Sequence, residues 1–438
     1  MINKIVFIGC GSVGYALLEI FKKEKLYRKA YYVIIEPRDI VEFDYITKGL
    51  ECSWLKKAIT PDNMEKLLSF IDSKTFIINV SVNVDSIMLL RLAKQRRAMY
   101  IDTSLEQYEQ FINIPIDKIT KYSQFKKNNL YHQNLLAEKL MKNSNKTRLV
   151  SGGMNPGMVN EYAKLILRSY ADKHGKKLVK GDYGKLAFDC GLTEIQIVEY
   201  DTQKLRIKST PEKFVNVWSS IGFTEEALDL VLLSLNNEDI ARMKREGYKL
   251  IKPTEGDKDT HVRFIPTRGM DMVRESITLD DKGEPFSYTG MLIPHAETIT
   301  MSKFFSHVGN APSIMYVYRP CDEAIKALQY MRENGYKALP DWQVARNKDI
   351  ISGWDSVCVL MTFKNGEQWI GGTILGKKDT KGFKSGATPL QVGAFMNAAI
   401  KWMMANPNEG LLQAENVPSS FIFEHANKYL GLSIVRQL

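Results

Sequence analysis

Histidine is scarce in this sequence, with six in 438 residues, and the five cysteines (Cys10, Cys52, Cys190, Cys321 and Cys358) never form a C-x-x-C pair. A disulfide framework or a thiolate zinc site needs cysteines at defined spacings, so reduced thiols in a cytoplasm are expected, and no metal. Long apolar runs are also missing. None approaches the ~18 residues that a membrane-spanning helix requires. The first apolar stretch, "IVFIGCG", begins too early and is broken by glycines, which argues against a signal peptide. Concentrated charge of one sign is absent too. The formal charge is +10, but the lysines are spread along the chain. The densest pieces, "FKKEKLYRK" at 21–29 and "DKHGKKLVKGD" at 172–182, are short and carry acids. With no nucleic-acid-binding motif beside them, they read as a solvated lysine-rich surface, and no nucleic-acid partner is expected.

What is present is length enough for two domains. The N-terminal part alternates β-rich runs with helical patterns: "KIVFIG", "VGYALLEIFKKE", "AYYVIIEP", then "TFIINVS", "DSIMLLRLAKQR" and "AMYIDTS". This rhythm predicts an α/β domain over residues 1–155, a Rossmann-type doubly wound parallel sheet. From about residue 156 strands follow one another. Residues 156–400 are therefore expected to form an α+β substrate or dimerisation domain with a mixed or antiparallel sheet. In "SVCVLMTFKNGEQWIGGTIL", Asn365-Gly366 signals a hairpin with a type I′ turn. The C-terminal helices, from about 400 to 438, are candidates to pack back on the first domain.

Gly9-Cys10-Gly11-Ser12-Val13-Gly14 fits G-x-G-x-x-G, with an apolar strand before it and an amphipathic helix after it. Such glycines let backbone N–H groups approach a pyrophosphate at a helix N-terminus. The second strand ends at Glu36, 22 residues after Gly14, where an acid can accept a ribose 2′-OH. NAD is thus favoured over NADP, although the neighbouring Arg38 offers a partner for a 2′-phosphate. Further strand ends, at Ser81 and Asn83, at Asp102 and Thr103, and in the turn "SGGMNPGM" with Asn155 and Pro156, are expected around the same cofactor.

In the second region several polar residues stand where apolar ones would be cheaper. Alternation along "TEIQIVEYDTQ" places Glu199 with Ile195 and Ile197 on an inward face, where it needs a partner. In "NVWSSIGFTEEALDLVLLSL", Thr224 reads as an N-cap with Glu225 and Glu226 in the first helical turn, favourably placed for the helix dipole. Trp218 reads first as a core residue and Asp355 as a strand-start acid. The stretch "YTGMLIPHAETITM" (288–301) reads as a strand, so His295 and Glu297 share a face. They are either a satisfied polar pair or an acid/base site. Together these residues describe an acidic pocket with an aromatic wall, suited to a cationic substrate.

The chain resembles the homospermidine synthases, relatives of the saccharopine dehydrogenase-like reductases. The pieces that carry the resemblance are "IGCGSVG", "YIDTSLE", "NPGMVN", "EYDTQ", the Trp218-to-Glu226 spacing, "PHAET", "YVYRPCDEA", "WDSVCVLM" and "LQVGAFMNAAIKWMMANPNEGLLQAENV". The resemblance implies a cytoplasmic homodimer that joins two putrescine molecules into homospermidine and ammonia, with NAD as a recycled redox group. Spermidine or diaminopropane are alternative amines. It implies that Trp218 is the cation–π residue, that Glu199, Glu226, Glu297 and Asp355 hold amine groups, and that Asn155 touches both cofactor and substrate. His295, with an ordinary pKa near 6.5, would be the base. Glu106 is a further substrate candidate, although "QYEQF" follows "YIDTSLE" where a Pro-Trp pair is usual. The alternative is a reductase such as carboxynorspermidine dehydrogenase, consuming NAD(P)H and needing a pocket arginine such as Arg263, Arg268 or Arg319. A non-catalytic NAD sensor is a third reading, one that leaves the inward acids without purpose.

Overall fold

The structure, a computed structural model, describes residues 2–107, 129–254 and 260–438. These divide into two compact units. Residues 2–107, 129–157 and 389–426 make the first, and 158–254, 260–388 and 427–438 the second.

The first unit is built on a parallel sheet of seven strands among the described residues. Its strands are β1 (Lys4–Ile8), β2 (Tyr31–Ile35), β3 (Glu51–Leu55), β4 (Thr75–Asn79), β5 (Met99–Asp102), β6 (Arg148–Leu149) and a short strand, Leu411–Leu412. Spatially β3-β2-β1 run to one side, and β4-β5-β6 with Leu411–Leu412 to the other. The central strands carry near-continuous apolar runs because both faces are covered, as parallel sheets require. Ile5, Val6, Phe7, Phe76, Ile77 and Ile78 are all fully buried. The order reverses between β1 and β4, and ligands of such folds bind beyond the strand ends at that switch point.

The second unit is built on a sheet of nine strands among the described residues, and it is mixed, as the strand-rich texture predicts. At its centre β7 (Leu192–Asp201) runs parallel to β8 (Ser313–Arg319) and antiparallel to β9 (Trp354–Phe363). Register fixes what shares a face. Glu199 is level with Tyr318 on one side and Val357 on the other, and Asp201 is directly opposite Asp355. One face of this centre therefore carries Ile195, Ile197, Glu199 and Asp201 from β7, Tyr316 and Tyr318 from β8, and Asp355 and Val357 from β9.

The hairpin from β9 to Gln368–Gly376 forms where Asn365-Gly366 marks it, but its turn is not type I′. That turn needs positive φ at both central residues. Only Gly366 has it, at φ 85°, and the loop closes through Gly366 N–H to Phe363 O (2.9 Å) and Phe363 N–H to Glu367 O (3.0 Å). Three residues, rather than two, separate the paired ends, so one left-handed glycine suffices.

Candidate amine and dinucleotide sites

In the first unit the glycine loop is shaped by close backbone approach. Gly9 has φ 85°, and a Cβ there would lie 2.8 Å from Ser81 and Val80 backbone atoms. A Cβ on Gly14 would meet Gly9 O at 3.0 Å. Gly11 is the N-cap of helix α1 (Ser12–Glu24) and brings no capping side chain, so the first-turn N–H groups at Ser12 and Val13 are left for a ligand. An anion such as a pyrophosphate fits that terminus.

Glu36 sits at the end of β2 with its carboxylate buried. Oε2 accepts from Cys10 N–H at 2.9 Å, and both oxygens take the Arg38 guanidinium, at 2.8 and 3.2 Å. Burial raises the pKa of this acid, but the bonds from Arg38 and Cys10 outweigh it and hold the group below the usual range. It is therefore an anion beside the loop, and Arg38 is already committed to it.

Around the β4 and β5 ends, Asn79 Oδ1 accepts from Ser81 Oγ at 2.6 Å. Asn83 adopts φ 59° and carries a buried Oδ1 with no hydrogen-bond donor among the described residues. Asp102 is fully buried, and burial pushes its pKa up to about 7. It accepts from Ser151 N–H (2.7 Å) and Tyr100 Oη (2.7 Å), which ties β5 to the 151–158 turn. Within that turn Gly153 N–H bonds Pro156 O at 2.6 Å, and a Cβ on Gly153 would lie 3.9 Å from Thr103 Cγ2. Asn155 is joined to Pro156 by a cis peptide bond. Glu106 is tied to the start of the helix Ser86–Gln95 by its N–H to Ser86 Oγ (3.0 Å), and its carboxylate accepts from Ser104 Oγ. Most of the "QYEQF" departure, residues 108–111, lies outside the described residues. Ser151 opens the turn expected there, whereas Asn79 and Tyr100 carry no local signal in the sequence; the bonds of Tyr100 to Asn79 and of Ser151 to Asp102 join residues far apart in the chain.

In the second unit the stretch 288–301 is not one strand. The strand Pro285–Leu292 ends, His295 becomes an N-cap at φ −149°, and helix α3 (Ala296–Phe304) begins. The β-branched run Thr298-Ile299-Thr300 resembles a strand locally, and tertiary burial overrides that preference. The two side chains still converge: His295 Nδ1 lies 2.8 Å from Glu297 Oε2.

The helix carrying Glu226, α2 (Ser220–Leu228), also begins earlier than its sequence suggests. Ser219 is the N-cap, with Oγ accepting from Gly222 N–H at 3.0 Å. Thr224 lies inside the helix and donates back to Ser220 O at 2.8 Å. Glu226 therefore stands in the last turn, where the helix dipole opposes a carboxylate rather than favouring it. There its Oε1 lies 3.4 Å from His295 Nε2.

The imidazole is thus held between two carboxylates. Burial alone would lower its pKa, but Glu297 and Glu226 win and hold it well above its ordinary value of 6.5. Burial likewise raises Glu226, with Glu297 adding to the rise and His295 opposing it. Glu226 Oε2 and Glu297 Oε1 are buried and find no hydrogen-bond donor among the described residues.

Next to the imidazole, 4.5 Å between ring centroids, lies Tyr316, whose hydroxyl donates to the buried Glu199. Tyr316 stacks on Tyr318 at 5.6 Å, and Tyr318 Oη accepts from Trp218 Nε1 at 3.0 Å. Trp218 remains half-buried against Phe223, so its indole is not wholly absorbed by the core. Asp355, fully buried, accepts from Thr388 Oγ1 at 2.6 Å and faces Asp201 across the strands. Asp201, Tyr316 and Tyr318 were not singled out from the sequence; period-2 alternation from Glu199, and along "IMYVYRP", marks them.

The structure thus gathers His295, Glu297, Glu226, Glu199, Tyr316, Tyr318 and Trp218 in one acidic, aromatic cluster. The arginines that a carboxylate substrate would need are otherwise engaged. Arg263 bonds Thr260 O and Val262 O, Arg268 lies over the Tyr336 ring at 3.9 Å, and Arg319 holds Asp322. Among the described residues no group of three or more His, Cys, Asp or Glu could hold a metal, and no helix is long and apolar enough to cross a membrane.

Known proteins resemble this chain along most of its length. Residues 5–146 match the family model described as the saccharopine dehydrogenase NADP binding domain. The homospermidine synthase of Blastochloris viridis is 28% identical, over 98% of this chain and 89% of its own length. That of Mesorhizobium japonicum is 25% identical, over 98% and 88%. The crystal structure of the Legionella pneumophila homospermidine synthase in complex with NAD has the same fold, with a TM-score of 0.83 at 24% identity, covering 100% of this chain and 91% of that one. A saccharopine dehydrogenase from Saccharomyces cerevisiae follows at a TM-score of 0.52 and 11% identity. From end to end, the chain is similar to the homospermidine synthases.

Proposed function

We propose that the chain is an NAD-dependent homospermidine synthase: it converts putrescine to an imine, releases ammonia, joins a second putrescine and reduces the product. The observation that carries this reading is His295 held between Glu297 and Glu226 on an acidic, aromatic cluster, with Arg263, Arg268 and Arg319 engaged elsewhere. When bound, NAD would supply a hydride acceptor for the first half of the reaction and a hydride donor for the second, with no net redox change. The first unit fits it: the bare helix terminus at Gly11, Ser12 and Val13 suits the pyrophosphate, and Glu36 suits the ribose hydroxyls. Asn83, Asp102, Thr103, Asn155 and Pro156 complete the proposed cofactor site, and Ser81 with Gly9 and Gly14 shapes its loop.

In the second unit the substrate ammonium pairs with the unpartnered oxygens of Glu226 and Glu297 and with Glu199. Carbon releases hydride readily only when its nitrogen is neutral, so a base must first take a proton. Glu226, its basicity raised by burial, is placed for that step. His295 begins protonated, which revises the expectation of a neutral imidazole base with a pKa near 6.5. Its Nε2–H can pass to the departing nitrogen, and the imidazole left behind then takes a proton from the incoming amine. Trp218 and the carboxylates stabilise the cationic imine. Asp355 holds an amine, and Glu106 is a further contact.

The test is incubation with putrescine and catalytic NAD, following ammonia, homospermidine and NADH absorbance. Ammonia and homospermidine without accumulating NADH are expected. Stoichiometric cofactor consumption would instead make the chain a reductase. A homodimer in the cytoplasm is part of the same reading and rests on the resemblance; equilibrium sedimentation tests the dimer.

A further inference from the structure

Two carboxylates in the second unit are oddly paired. Asp201 and Asp355 are directly opposite across β7 and β9, and both are fully buried. Like charges at such a position have Cβ atoms about 4.5–5.5 Å apart and are destabilising. Among the described residues no cationic side chain bonds either carboxylate. The charge of Arg319 reaches Asp201, but its guanidinium donates to the Asp201 main-chain oxygen at 3.3 Å and to Pro320 O and Asp322, not to either carboxylate.

What does contact them is neutral. Gln203 N–H donates to Asp201 Oδ1 (2.7 Å), and Gln203 Nε2 donates to the same oxygen (3.2 Å) and to Thr388 Oγ1 (3.4 Å). Thr388 in turn donates to Asp355 Oδ2. These bonds fix which end of the Gln203 amide is which. They leave three buried acceptors with no donor: Asp201 Oδ2, Asp355 Oδ1 and, on a residue only 2% exposed, Gln203 Oε1. A primary ammonium group offers three N–H donors and one positive charge.

This cluster is also at a defined distance from the first. Asp201 lies two residues beyond Glu199 on the same strand face, a step of about 6.7 Å. The nitrogens of an extended 1,4-diaminobutane are separated by five single bonds, about 6 Å in all. Tyr318 is level with Glu199, and its hydroxyl is within electrostatic reach of Glu199, Asp201 and Asp355.

We propose that Asp201, Asp355 and Gln203 Oε1 together hold the amine remote from the reacting carbon, and that the step from Glu199 to Asp201 sets the diamine length the site accepts. This deepens the function proposed above and rests on it. It adds Asp201 and Gln203 beside Asp355 as substrate-binding residues and assigns the discrimination of diamine length to their spacing from Glu199.

The test is calorimetric titration of the full chain loaded with NADH, so that no amine is oxidised, using 1,4-diaminobutane, 1,3-diaminopropane and 1-aminobutane. In the unaltered protein 1,4-diaminobutane is expected to bind at least about tenfold more tightly than either other amine, as one charge-assisted contact set allows. Asp201→Asn should erase that preference while leaving 1-aminobutane within about twofold of its original affinity. Equal binding of the three amines by the unaltered protein overturns the inference and needs no variant to fold. A preference that survives Asp201→Asn in a folded protein also overturns it. Binding of no amine at all overturns the proposed function along with it, so the two failures are distinguishable.

Discussion

Glu226 Oε1 lies 3.4 Å from His295 Nε2, and it reaches that position from the last turn of its own helix. A carboxylate at a helix C-terminus faces the negative end of the dipole. One that is also half-buried, raised in pKa and left with a buried, unpartnered oxygen gives the fold little. Groups held at a cost to the fold are where chemistry is expected.

Replacing Glu226 by Gln separates the two roles. It removes the unfavourable dipole interaction, worth about 0.3–1 kcal/mol, and loses the contact to His295. The thermal midpoint should therefore not fall. Turnover should drop by about 100-fold or more, the usual effect of losing a proton-transfer group. Steady-state kinetics and a melting curve on the same preparation check both; a lower midpoint with near-normal turnover would make Glu226 a structural residue.

The proton on His295 depends on Glu297, whose charge is the largest influence raising it. A raised imidazole pKa gives stability that is complete below the unfolded value, about 6.5, and is lost as pH climbs through the higher native value. Glu297→Gln removes the neighbouring charge and lowers that native value. The loss of stability starts near the unfolded value in both proteins, but in the variant it should be complete at lower pH, and the alkaline fall in turnover should begin at lower pH. Melting temperature and kcat recorded from pH 6 to 10 measure the shift; unchanged curves would place the imidazole's control elsewhere.

Asp355 behaves in the opposite sense. Burial pushes its pKa up to about 7, against about 3.9 in an unfolded chain, so the native state binds its proton more tightly. Stability then falls as pH rises between those values, because the unfolded chain gives up the proton first. Asp355→Asn should flatten that fall. It should raise the thermal midpoint by a few degrees at pH 8 and change it little near pH 4, while weakening diamine binding. A midpoint that drops at pH 8 would show that the ionised carboxylate is needed for folding.

How much of this was legible beforehand depends on how far apart the interacting residues are. The dinucleotide loop could be read because strand, glycines and helix are contiguous, and the mixed second sheet because its strands announce themselves. Helix starts were less secure. Thr224 is a good cap chemically, but Ser219 occupies the cap and Thr224 bonds back to Ser220 instead. The run Thr298-Ile299-Thr300 has strand-like residues in a helix that buries them. Convergence of His295 and Glu297 was expected for the wrong reason, since the contact arises at an N-cap rather than along a strand. Asp201 opposite Asp355, 154 positions apart, depends on strand register, which no local pattern specifies.

The same distance problem applied to Arg38, which in sequence alone is open to pairing with a 2′-phosphate. In the structure it forks onto Glu36, which is below its usual pKa and therefore charged. A 2′-phosphate would meet that carboxylate, and the guanidinium that could offset it is already in use. Glu36→Ser removes the repulsion and frees Arg38 together. Relative affinity should swing toward NADP by about tenfold or more, since a charge-assisted phosphate contact replaces a like-charge encounter. Fluorescence titration with NADH and NADPH measures the swing. If the variant keeps the original preference, Arg38 does not reach the ribose and discrimination lies in another part of the loop.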